Sequence, residues 1–451
     1  MHYLAEAIEP GSDYAAFATE VEDRTSLVFV GANDGMLHAF NAESGKEEFA
    51  FVPSAVIPSL NKLTSSGYNE AGGEHHFFVD GTPVVRDVYI NGQWRTVLVG
   101  TLRAGGRSIF ALDITAPNNI SLLWELNVED DLSDAEKAAG TASDVGYSFP
   151  VPTIARLHNG NWAVVTGNGY DSASGRAALF LIDIADGKLT KIPTKASDAL
   201  NGLSSVRVAD NNSDGIADYV YAGDLKGNLW RFDLDPTGKT GSSGYKVSFG
   251  GSPLFTAKDG VGNSANSQAI TAPPSLVRHP SMVGYIVLFG SGRYFQLTDK
   301  ETDKVDTLYG IWDKQTRLDE VATTTPSLDR RKLQEQTFTT QTANTWNADN
   351  PNLPSVSQNI RILSDTPITW HSASANDGKY GWYLDLKVGN TTDGERIVDE
   401  MAARGQVLLF TTRTPSNDPC EAGLTGWTYG INPYTGGRTS FNVFDSTKAR
   451  L

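Results

Sequence analysis

The chain is poor in sulfur and in positive charge. Its 451 residues include one cysteine, Cys420, and four methionines. A single thiol makes no internal disulfide, and no cysteines or histidines stand at the spacing of a zinc site. Cys420 is read either as a buried, inert thiol or as the partner of a cysteine outside this chain. It does not set the redox compartment, because a core of this size needs no staple. Lys and Arg number 37 against 53 Asp and Glu, a formal net charge of −16. There is no basic stripe, which excludes nucleic acid as a partner, since phosphate contacts need clustered cations. No run approaches the ~18 apolar residues of a transmembrane helix. The opening "MHYLAEAIEPGSDYAAF" has no basic n-region ahead of an apolar stretch, so it does not read as a signal peptide. The chain is then either cytoplasmic or the C-terminal fragment of a longer exported protein. No GxSxG elbow and no GxxxxGK[ST] phosphate loop occurs, and "TGGR" and "AGGR" read as turns.

What is abundant is turn residues and aromatics: Gly 44, Pro 20, Trp 9, Tyr 16 and Phe 19. That balance suits stacked sheets better than helices. "SLVFVGANDGMLHAFNAESG" (26–45) reads as strand, tight turn at Asn33-Asp34-Gly35, strand and turn. A degenerate unit recurs over 83–114, 150–184, 204–234 and 271–297. Each copy has a strand, a polar turn, a second strand, a Gly turn and a third strand. The third strand often closes on Asp, in "ALDI", "LIDI" and "RFDL".

Short strands repeated with glycine and aromatic residues at set places are the signature of propeller blades. The closing Asp113, Asp183 and Asp233 fall at uneven intervals of 70 and 50 residues, so long insertions must lie between strands. One is expected at 125–148, with a short helix, and another at 299–360, polar and long apart from a strand at "TLYGIWD" (307–313). The expected organisation is an N-terminal extension or incomplete first strand over 1–26, a propeller over 27–438 and a tail over 439–451. Counting gives six blades and leaves a seventh open. A sandwich joined to a second β-rich domain is the alternative.

One stretch carries chemistry. "ADNNSDGIADYVYAGDLKGNLWRFDL" begins at Ala209 and sets Asp210, Asn212, Asp214, Gly215, Ile216 and Asp218 in register with positions 1, 3, 5, 6, 7 and 9 of a calcium loop. Oxygens would come from the side chains of Asp210, Asn212, Asp214 and Asp218 and from the carbonyl of Ile216, with Gly215 making the sharp turn. Position 12 is Tyr221, which supplies no bidentate carboxylate, so this is not an EF hand. "YVYAGD" follows as a strand, and a β-hairpin is expected to hold the loop. Three carboxylates this close repel one another, and a cation removes that cost. Magnesium demands near-ideal octahedral geometry, so calcium is the expected ion. The alternative is an Asp/Asn/Gly turn bonded to itself. Elsewhere the seven histidines show no ligand spacing, and His75-His76 is read as surface loop. Asp171 is placed in a hairpin connection, and "ERIVDEMAARG" (395–405) is read as a short helix with a glycine stop.

These stretches resemble a known family. "VFVGANDGMLHAFNAESGKEEFAFVP" (28–53), "FVDGTPVVRDV" (78–88), "WRTVLVGTLRAGGRSIFALDIT" (94–115) and "DNNSDGIADYVYAGDLKGNLWRFDL" (210–234) are similar to the C-terminal domain of the PilY family. These are type IV pilus biogenesis factors and tip-associated adhesins related to neisserial PilC. The resemblance runs from about residue 27 to residue 438. It implies an all-β fold, a modified seven-bladed β-propeller with long inserted loops. It also implies a calcium site at Asp210, Asn212, Asp214, Ile216 (carbonyl) and Asp218. By the same likeness calcium occupancy would govern pilus extension and retraction, surface adhesion and twitching motility. Partners would be pilins or minor pilins, the pilus assembly machinery and host or abiotic surfaces, and the location would be the cell surface, outer membrane or pilus tip. The first ~25 residues lack the family's usual opening to the propeller, and no Arg-Gly-Asp occurs.

The expectation is therefore a calcium-binding, non-catalytic propeller. Its rival is a pyrroloquinoline-quinone dehydrogenase, which shares the propeller and holds calcium beside the cofactor. That class usually has a vicinal cysteine pair or a stacked Trp at the cofactor, and the lone Cys420 speaks against the pair. A further alternative is a purely structural calcium site in a host- or glycan-binding adhesin.

Overall fold

A computed structural model describes residues 8–444 apart from 69, 71–74, 195–199, 236–243, 263, 301–303, 315–327, 347–355, 373, 375–376 and 417–423. Cys420 and parts of the expected 299–360 insertion lie outside the described residues. The chain forms two compact units. The first holds residues 1–224 and 231–252, the second 225–230 and 253–451.

Almost every element is a strand in an antiparallel sheet. The first sheet is β1 (Leu27–Gly31), β2 (Leu37–Asn41) and β3 (Glu47–Phe51). The second is β4 (Val84–Ile90), β5 (Gln93–Thr101), β6 (Ile109–Asp113) and β7 (Ser121–Leu126). The third is β8 (Thr153–Arg156), β9 (Trp162–Gly167), β10 (Ala178–Asp183) and β11 (Leu189–Pro193). The fourth is β12 (Leu203–Ala209), β13 (Tyr219–Asp224), β14 (Asn228–Asp233) and β15 (Lys246–Val247), with β16 (Phe255–Thr256) also on β14. The boundary between the two units runs through β14.

The second unit holds a larger sheet. It contains β17 (Ser275–Arg278), β18 (Tyr285–Gly290), β19 (Thr307–Asp313), β20 (Gln334–Trp346), β21 (Val356–Leu363) and β22 (Gly381–Val388), in the order β17-β18-β19-β22-β20-β21. Smaller sheets follow: β23 (Ala402–Arg404) and β24 (Val407–Thr411) with β27 (Thr428–Ile431), and β25 (Thr414–Pro415) with β26 (Leu424–Thr425).

Consecutive strands pair as meanders, and their apolar faces pack sheet on sheet. In the first unit, Val97, Val99, Ile109 and Ala111 of the second sheet share a core with Trp162, Val164, Ala178 and Phe180 of the third. Gly167, ending β9, is a point of close approach, since a Cβ there would lie 2.3 Å from the carbonyl oxygens of Leu203 and Ser204. The repeat seen in the sequence has a backbone basis. The residue after each closing Asp returns its N–H to the first half of the second strand or the residue just before it: Ile114 to Thr96 O within β5 (2.9 Å), Ile184 to Trp162 O at the start of β9 (2.9 Å) and Leu234 to Asp218 O just before β13 (2.8 Å). Asp113 and Asp183 also accept the N–H two residues on, from Thr115 and Ala185.

Two expectations change. "ERIVDEMAARG" is not a helix: Arg396 bridges Arg413, and Ala402–Arg404 is β23. Ile397 and Met401 are buried there, so tertiary pairing overrides a helix-prone composition. The 299–360 segment contributes β20 and β21, a long hairpin whose first strand also pairs with β22 in parallel. The short helix expected in 125–148 is present at Asp134–Ala138, with a capping box between Ser133 and Glu136.

Candidate metal-binding loop

β12 and β13 pair antiparallel, with Ala209 opposite Tyr219, and residues 210–218 connect them. The Asp218 N–H donates to Ala209 O at 2.9 Å, which closes the loop at its neck. Ser213 (φ 65°) and Gly215 (φ 85°) take the left-handed conformation and wind the backbone around its own polar side chains.

Asp210 sits at the centre of that winding. Its Oδ1 accepts the N–H groups of Ser213 (2.6 Å) and Asp214 (3.2 Å), and its Oδ2 accepts that of Gly215 (2.7 Å). Asn212 donates through Nδ2 to Asp214 Oδ2 at 2.9 Å, and its Oδ1 accepts the Asp214 N–H. Asp214 Oδ1 accepts the N–H of Ile216 at 2.8 Å. Ile216 forms a parallel bridge with Arg156, and the next N–H, from Ala217, donates to Arg156 O.

Asp218 is different in kind. It is fully buried. Its Oδ2 accepts the Asn211 N–H at 2.7 Å, while its Oδ1 meets His158 Nε2 at 2.8 Å. His158, Asp218 and Asp235 bring donor atoms within 4.8 Å of one another, a group able to hold a metal ion. The hydrogen bond from Asp218 raises the His158 pKa above its usual value against the opposing effect of burial, and the Asp235, Asp218 and Asp214 charges add to the rise. One histidine, His158, does therefore join an acidic site, although the spacing of the histidines in the sequence gives no sign of it. His158 comes from the turn between β8 and β9, and Asp235 follows "RFDL" at the end of β14.

By chemical type the loop's donors suit a hard cation, but among the described residues the carboxylates of Asp210, Asp214 and Asp218 do not converge as a group: Asp218 clusters with His158 and Asp235 instead. Between 210 and 218 the loop offers three carboxylates, two side-chain amides, one hydroxyl and backbone carbonyls, with no sulfur. Each carboxylate oxygen has two lone pairs. The N–H bonds to Asp210 orient its carboxylate, and each Asp214 oxygen accepts one hydrogen bond from the turn, from Asn212 Nδ2 and from the Ile216 N–H.

The other polar sites have ordinary partners. Asp171 pairs with Arg107 at 2.7 Å. His75 and His76 pack edge-on against Phe77 and Phe78.

Fold and loop together define a β-propeller bearing an oxygen-rich hairpin loop. The family model described as the PilY1 beta-propeller domain matches residues 1–350, and the chain belongs to that family. It is 50% identical over 476 residues to the type IV pilus biogenesis factor PilY1 of Pseudomonas aeruginosa strain UCBPP-PA14, covering 100% of this chain and 39% of that protein. It is 37% identical to a PilY1 homolog of Xylella fastidiosa strain Temecula1, covering 94% of this chain and 27% of that one. The crystal structure of the P. aeruginosa PilY1 C-terminal domain superposes with a TM-score of 0.83 at 47% identity, covering 99% of this chain and 86% of that chain. The chain thus spans well under half the length of these curated relatives.

Proposed function

We propose that this propeller is a calcium-binding, non-catalytic part of a type IV pilus biogenesis factor, acting at the cell surface or pilus tip. The observation that carries the reading is the loop. Asp210, Asn212 and Asp214 are gathered by N–H groups of the same turn, and Asp218 is held at its neck. Asp210, Asn212, Asp214 and Asp218 would hold the ion with the Ile216 carbonyl, and His158 would keep Asp218 oriented from behind. Calcium there would neutralise the loop carboxylates and tie the loop to the hairpin. The names of the relatives support the pilus role. In this reading the ordered loop changes how the surface engages pilins, minor pilins or the assembly machinery. It thereby biases pilus extension against retraction, and with it adhesion and twitching motility.

Calorimetric titration of calcium into chelator-treated protein tests the site. One saturable event, lost in Asp210→Ala and weak with magnesium, is expected. Absence of heat from correctly folded protein would reduce the loop to a turn. Pilus retraction in cells carrying Asp210→Ala in the full-length protein then tests regulation. Unchanged retraction despite lost binding would leave calcium with a structural role alone.

A further inference from the structure

A cavity of about 780 Å3 opens in the second unit, lined by residues of β21, of β27 and its approach, and of segment 438–444. That volume suits a small ligand of several rings. Its floor is built from a buried polar network. The Arg361 guanidinium lies 4.0 Å from the centre of the Trp427 ring and 5.1 Å from that of Phe338. It donates to Glu395 and to the Tyr429 hydroxyl. Glu395 is fully buried and also accepts from Tyr429 (2.8 Å) and from Thr412 Oγ1 (2.7 Å). The charge of Arg361 is thus matched by Glu395, and the network holds the Trp427 ring in place before any ligand arrives.

The mouth is unlike the floor. Phe441 and Phe444 line it with 47% and 49% of their surface exposed. Arg438 is anchored through its backbone, its N–H donating to Ser364 O at 3.2 Å. Its side chain is exposed and makes no ion pair or hydrogen bond among the described residues. Short amide and hydroxyl side chains, Asn359, Asn442 and Thr439, stand among the rings.

We propose that this cavity binds an acidic saccharide, a chain of pyranose rings that carries a carboxylate. A pyranose presents C–H faces to aromatic rings and hydroxyls at its edge to amides and hydroxyls, which matches Trp427, Phe441 and Phe444 ringed by Asn359, Asn442 and Thr439. Arg438 supplies the planar pair of donors that a carboxylate takes. A cationic ligand would meet Arg438. The site lies in a different unit from the 210–218 loop and does not depend on the calcium reading.

The test is titration of the protein with three probes, followed by calorimetry and tryptophan fluorescence. The probes are an oligogalacturonate, sialyllactose and neutral maltotriose. Arg438→Ala and Phe441→Ala alter exposed side chains and keep the floor intact, and circular dichroism checks their fold. Saturable binding of at least one acidic probe is expected, weakened about tenfold or more in each variant, with maltotriose much weaker. The preferred acidic probe separates a uronate from a sialate source. The proposal is overturned if neither acidic probe binds up to millimolar concentration. Binding that ignores both variants, or maltotriose binding as well as the acids, overturns it equally.

Discussion

Asp218 and Asp214 share a loop but not an environment. Asp214 is exposed, and its bonds stay within the turn, whereas Asp218 is buried and ties the Asn211 N–H to His158. Removing a buried acceptor leaves its donors unpaired, at a cost of about 1–3 kcal/mol. Asp218→Ala is therefore expected to lower stability to urea by that amount even in chelator. Asp214→Ala should stay within about 0.5 kcal/mol there, as surface substitutions do. If the loop binds calcium as proposed, both should abolish any stabilisation by the ion. Equal behaviour of the two variants in chelator would show that Asp218 has no structural role of its own. A second residue-scale prediction concerns His279, which is 2% exposed and stacked 3.9 Å from Trp312. Its Nδ1 accepts the Ser281 N–H, its buried Nε2 has no hydrogen-bond partner, and burial pushes its pKa down to about 4. The folded protein keeps this ring neutral while the unfolded chain protonates it near the ordinary value of 6.5. Its contribution is complete above pH 6.5 and falls away as the pH drops toward 4, by something of the order of 3 kcal/mol. His279→Phe should flatten the fall of Tm across that window, and an unchanged slope would assign the acid sensitivity elsewhere. At this scale the sequence made the loop legible, because Asp210, Asn212, Asp214, Ile216 and Asp218 are local in the chain. His158 and Asp235 were not legible, because they arrive from other turns of the fold.

Among the elements, glycine marks where sheets come closest. A Cβ at Gly167 would collide with backbone carbonyls of β12, which have no rotamer by which to escape. Gly167→Ala should cost about 1–3 kcal/mol, the usual range for overpacking, measured as a lower urea midpoint at constant slope. A neutral result would mean that β9 and β12 slide apart easily. Most strands announced themselves by short apolar runs, as in "YVYAGD" and "ALFLID". The β20–β21 hairpin did not. "QEQTFTTQTANTW" is rich in Thr and Gln with little apolar alternation, and β20 gains its place by pairing with β22 as well as β21. The 395–405 segment misled in the opposite direction, since helix-favouring residues there bury Ile397 and Met401 against strands.

Over the whole molecule, the charge of −16 sets the response to ions. Self-repulsion among carboxylates weakens the folded protein, and salt screens it. In chelator, Tm is expected to rise with added NaCl. If the loop binds calcium as proposed, stability should rise further by mass action, by about 2.7 kcal/mol at a hundredfold excess over Kd. The calcium affinity itself should fall as NaCl increases. Affinity independent of salt would show that the loop senses only its own few charges. The sequence by itself determined the all-β class, the repeated three-strand unit and the spacing of the acidic loop residues, since strand periodicity, turn residues and a nine-residue loop are all local properties. Only the tertiary structure decided that Asp218 is buried against His158, that Asp235 joins them, and that Arg361 and Glu395 floor an aromatic cavity. Those partners lie tens of residues apart, and what unites them is the packing of one sheet upon the next, which no local pattern records.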